Sequence, residues 1–177
     1  NWDGLWNTNN YMLYLHPDDG KFRYYRYDVE NAFGSFVLLD FETRNIWEWG
    51  KGGFGHLLID RILSVASFRD IYAEYLTLLV DNYVTPEESG PLMQRLRIQH
   101  DQVTEITERD YWHRLDGLYS YNDFYSNIDK DAIHSMYLPK KVREGVVVQK
   151  AIKKWIESRS TSVRDQLQHP PSNRVTN

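Results

Sequence analysis

The sequence predicts an α+β chain, a β-hairpin near its start followed by a mostly helical remainder. Three observations predict it. His16-Pro17-Asp18-Asp19-Gly20 is a turn signal, because Pro fixes φ and Asp-Gly tolerates the positive φ of a tight reversal. On either side of it stand Tyr11–Leu15 and Lys21–Tyr27, runs rich in aromatic and apolar residues that suit strands. From His56 onward, apolar residues recur at helical spacing instead.

The first thirty-four residues carry the candidate chemistry. Asp3 lies in an opening loop, and Asn10 stands at the foot of the first strand. The returning strand delivers Asp28 into Asp28-Val29-Glu30-Asn31-Ala32-Phe33-Gly34, a second acidic turn. A hairpin with a carboxylate before it, an amide at its foot and a carboxylate after it should bring Asp3, Asn10 and Asp28 together at one end. Such a group suits a hard cation and a phosphate. Magnesium takes one or two carboxylates and fills its remaining positions with phosphate oxygens and water.

The remaining elements follow in order. Ser35–Phe41 reads as a short strand or buried extended segment, and Glu42–Asn45 as a polar turn. Gly50, Gly52 and Gly55 match G-x-G-x-x-G, but Trp-Glu-Trp precedes them and helical sequence follows. A dinucleotide fold would need a parallel strand before and βαβ units after. A loop between elements is the alternative. A helical tract begins over His56–Ser64. Ser67 with Asp70 resembles a capping box, and Phe68, Ile71, Tyr72, Tyr75, Leu76 and Leu79 form a stripe expected to face a core. Thr85-Pro86-Glu87-Glu88 reads as a helix start that Gly90-Pro91 breaks. Met93, Leu96, Val103 and Ile106 suggest another helix, to about Thr107. Tyr111–Tyr125 reads as aromatic and irregular, Asp129–Met136 as a short helix, and Pro139 and Gly145 as loop punctuation. The last strong helix carries Val148, Ile152, Trp155, Ile156, Val163 and Leu167 on one face, and His169–Asn177 is expected to fray.

Composition narrows the function. A length of 177 residues suffices for one domain with a core, and 41% hydrophobic and 26% charged residues are ordinary for a globular chain. The net charge of −4 argues against a broad nucleic-acid surface. There is no cysteine, hence no disulfide and no thiolate metal site. The six His form no H-E-x-x-H, and no G-x-S-x-G is present, which disfavours a zinc hydrolase and a serine-nucleophile elbow. No apolar run approaches the ~20 residues of a spanning helix. Lys140, Lys141, Arg143, Lys150, Lys153, Lys154, Arg159 and Arg164 make a basic stretch that reads first as a solvated face.

The order Asp, Asn, hairpin, Asp is similar to that of protein kinases, although H-R-D and D-F-G are absent. The wording resembles the spore-coat-protein-H (CotH) family of atypical kinases. Its motifs look like N-W-D, a gapped H-N-Y-Y-L-Y and a W-D-L-D-x-A-F-G turn. Here they read Asn1-Trp2-Asp3, Asn10-Tyr11-Met12-Leu13-Tyr14 and Tyr27-Asp28-Val29-Glu30-Asn31-Ala32-Phe33-Gly34. Asn9 stands for the common His, Tyr27 for Trp and Glu30 for the second Asp. Arg159, Val163, Gln166 and Leu167 also resemble the family's terminal R-x-x-x-V-x-x-Q-L.

The resemblance implies a protein-kinase-like C-terminal lobe over residues 1–167, with residues 168–177 a flexible tail. It implies Asp3 as the catalytic acid–base residue, and Asp28 and Asn10 as ligands of Mg²⁺ or Mn²⁺. Glu30, Asn9 and Asn7 are secondary candidates, and the gap from Asp3 leaves open which Asn is the ligand. The implied activity is ATP-dependent transfer of a phosphoryl group to Ser or Thr of spore-coat or secreted proteins. The upstream ATP-gripping lobe is expected to lie outside this chain, leaving the chain alone inactive. Two rivals remain. One is a non-enzymatic coat or scaffold pseudokinase. The other is a secreted carbohydrate-active or carbohydrate-binding domain that uses the carboxylates and the many Trp and Tyr.

Overall fold

The hairpin forms where its turn residues put it. In the structure, a computed structural model that describes residues 4–29, 32–33, 41–49, 57–110, 120–136 and 145–170, β1 (Tyr11–Leu15) pairs antiparallel with β2 (Phe22–Arg26). Tyr11 faces Arg26 and Leu15 faces Phe22. Gly20 adopts φ +63°, a conformation that glycine reaches without a Cβ penalty. Its N–H donates to the His16 carbonyl at 3.0 Å, and the His16 N–H donates to the Lys21 carbonyl at 2.9 Å. Asp19 accepts from the Lys21 amide at 3.0 Å and from the Arg23 guanidinium at 2.6 Å, tying the turn to β2.

The chain divides into two compact units, Asn1–Thr77 with Ser162–Asn177, and Leu78–Thr161. The first holds the hairpin and a run over residues 41–49. That run turns at Phe41 and closes into a 3₁₀ turn, Ile46–Glu48, where the Asn45 side chain caps the Trp47 amide at 2.9 Å. Phe41, Ile46 and Val163 are buried in this unit. α1 (Leu57–Ser64) and α2 (Ala66–Asn82) follow. The α2 start differs from expectation. The amides of Phe68 and Arg69 bond the Val65 carbonyl, so Ser67 lies inside the helix rather than at its cap. Its inward line is also offset from the expected stripe. Tyr72, Ala73 and Leu76 are half-buried and Val80 is buried, whereas Phe68, Ile71, Tyr75 and Leu79 are exposed. With apolar residues all round α2, spacing alone could not select the buried face.

In the second unit, residues 85–90 form a turn, not the expected helix. Glu88 is engaged by Arg97 and Lys153 instead of facing a helix dipole. Gly90 then caps α3 (Pro91–Arg109), with Pro91 at the first helical position, so Gly-Pro starts this helix. A Cβ at Gly90 would collide with the Thr85 hydroxyl oxygen, which explains glycine there. Along α3, Met93 is buried and Leu96 half-buried, while Val103 and Ile106 are exposed. α4 (Tyr121–Ser126) is helical where irregular chain was expected. It is set by a capping box: the Ser120 hydroxyl accepts from the Asp123 amide at 3.1 Å, and Asp123 accepts from the Ser120 amide at 2.8 Å.

The expected helix over residues 129–136 is a strand. β3 (Ala132–Met136) pairs antiparallel with β4 (Gly145–Gln149), Ala132 opposite Gln149. Val148 belongs to β4, not to the last helix. A Val-Val-Val run later in the chain supplies a partner that the local reading of Ala132–Met136 did not include. α5 (Ile152–Gln168) closes the fold. Ile156, Ser160 and Val163 are buried along it, flanked by half-buried Ile152, Trp155 and Leu167, in line with its expected face.

Arg97 organises this unit's polar contacts. It donates to Glu88 at 3.2 and 3.0 Å and to Asp129 at 2.7 and 2.6 Å, and Lys153 reaches Glu88 at 2.8 Å. Arg97 and then Lys153 hold the Glu88 carboxyl down at about 2, and Arg97 lowers that of Asp129. Asp131 is lowered chiefly by the Ala151 amide, which donates at 2.8 Å, and then by Lys154 at 3.0 Å. The Ser160 hydroxyl donates to the Val84 carbonyl at 2.6 Å. Among the described residues, no helix is long and apolar enough to cross a membrane.

The expected segment at residues 35–40, the glycines at 50–55, the aromatic run at 111–119 and the tail beyond residue 170 lie outside the described residues.

Candidate functional site

A 3₁₀ turn, Leu5–Asn7, leads into the hairpin. The Gly4 carbonyl accepts from the amides of Asn7 at 3.2 Å and Asn9 at 3.1 Å, which winds the chain tightly before β1. Thr8 takes φ +54° and Asn10 φ +52°, both left-handed. Asn is among the non-glycine residues that accept this region most readily, since its short polar side chain bonds locally. The reversal buries Asn10, which is 7% exposed.

Asp28 occupies the matching place after β2. It too is left-handed, at φ +51°, and its side chain is exposed. Hydrogen bonds join the ends of the hairpin. The Tyr27 amide donates to the Asn10 carbonyl at 3.1 Å, and the Asn10 side-chain amide donates to the Asp28 carbonyl at 3.5 Å. Antiparallel register carries Asn10 to Tyr27, and the Asn10 side chain reaches on to the Asp28 backbone, 18 residues away in the chain. Phe33, in the turn that follows, is also left-handed at φ +52°.

Of the six candidates, the structure describes four. Asn10 and Asp28 are brought together. Asn7 is half-buried and Asn9 exposed, both in the winding turn before Asn10. Asp3 and Glu30 lie outside the described residues. Among the described residues no group of three or more His, Cys, Asp or Glu is placed to hold a metal. Asn10 carries an amide and Asp28 a carboxylate, side chains with hard oxygens of the kind magnesium takes alongside phosphate and water.

The hairpin beside the pair is aromatic. Tyr11 and Tyr24 stack at 5.6 Å, and partial burial pushes the Tyr24 phenol above its usual value. Tyr25 and Tyr27 are half exposed. Sequence reading gave the residue types at the hairpin's end but not the backbone conformation that presents them. The available signal was Asn and Asp at the two strand ends, the residues most tolerant of positive φ.

A model of the CotH kinase protein family matches residues 1–163, which include the whole hairpin and the turn after Asp28. The chain belongs to the CotH kinase protein family. It is a kinase-type protein by that membership, and Asp3, Asn10, Asp28 and Glu30 all fall within the CotH match. No curated protein and no solved structure matches the chain.

Proposed function

We propose that this CotH chain is the C-terminal lobe of an ATP- and Mg²⁺-dependent protein kinase that phosphorylates Ser or Thr of spore-coat or secreted proteins. The supporting observation is the Asn10–Asp28 pair at the end of the hairpin. Residues 1–167 make up the lobe in this reading, and 168–177 a tail.

Asp28 and the Asn10 amide oxygen would hold the cation, with Glu30, Asn9 and Asn7 as further candidate donors. Bound there, Mg²⁺, or Mn²⁺ in its place, supplies positive charge that neutralises the phosphates and orients them. Asp3 orients the acceptor hydroxyl and takes its proton. Burial of Asn10 within the reversal restrains its side chain before substrate arrives, which supports preorganisation of that one donor.

The full-length protein incubated with γ-labelled ATP, Mg²⁺ and dephosphorylated casein tests this reading. Label on casein Ser or Thr that disappears with chelator supports it. No transfer at any metal concentration refutes it and favours the pseudokinase scaffold.

A further inference from the structure

We draw no further inference here: the strongest candidate, the line of exposed apolar side chains Phe68, Ile71 and Tyr75 along α2, is an unpartnered face, and nothing in the structure shows what covers it.

Discussion

Asn10 carries two separable properties, a left-handed backbone and an amide, and two substitutions separate them. Asn10→Ala keeps a Cβ at φ +52° without the local bonding that makes Asn tolerant, at a cost of about 1–2 kcal/mol. It also removes the bond to the Asp28 carbonyl, which at 3.5 Å is long and contributes only about 0.5 kcal/mol. The sum, roughly 1.5–2.5 kcal/mol, corresponds to a fall in melting temperature of roughly 3–10 °C for a chain of this size. Asn10→Gly relieves the backbone and loses only the amide, so it should fall by roughly 1–2 °C. Phosphoryl transfer should drop about 10²-fold in both, because both lose a candidate metal donor. Circular dichroism melts and a label-transfer assay on the full-length protein read the two properties apart. Asn10→Ala melting with the unmodified protein would refute the strain reasoning. Asn10→Gly with full activity would remove the amide from the site.

Two further predictions concern the second unit. Glu88, Asp129 and Asp131 have folded-state values below those of the unfolded chain, so their contribution is complete above about pH 4.5 and is lost as pH falls through the folded values, toward about 2 for Glu88. Acid titration of stability should therefore show a loss below pH 4.5 that Arg97→Met flattens, and an unchanged slope in that variant would contradict the ion network. Ser160→Ala removes the buried donor to the Val84 carbonyl and should cost about 1–3 kcal/mol in urea unfolding, whereas a change within error would mean the carbonyl finds another partner.

The parts of the fold legible in sequence were those fixed by local chemistry. Pro17 and Asp19-Gly20 specified the hairpin turn, and Ile152, Ile156, Val163 and Leu167 specified the α5 face. What depended on distant partners was hidden. Ala132–Met136 becomes a strand because Gly145–Gln149 pairs with it. Gly90-Pro91 begins α3 because a backbone without a Cβ fits beside Thr85. Glu88 leaves its expected helix-cap role for Arg97 and Lys153. The candidate site was legible as residue types in order; the Asn10 side chain reaches the Asp28 backbone carbonyl, while Asp3 and Glu30 lie outside the described residues. That reach rests on hairpin register, which turn chemistry sets. Gln166 was visible as a letter in a terminal motif, but the bonds of its side-chain amide to the Thr43, Arg44 and Ile46 backbone span most of the chain and have no local signal.

Asp28→Asn is the sharpest probe of the claim that the end of this hairpin holds a catalytic cation. Asn accepts the left-handed backbone that Asp28 adopts, so the fold and the volume are kept while the negative charge is removed. The measurement is the rate of label transfer from γ-labelled ATP to casein by the full-length protein, across a Mg²⁺ titration. A loss of about 10²-fold or more, with the melting temperature unchanged, is the predicted result. Transfer at the unmodified rate with the same Mg²⁺ dependence would contradict it and remove Asp28 from the site.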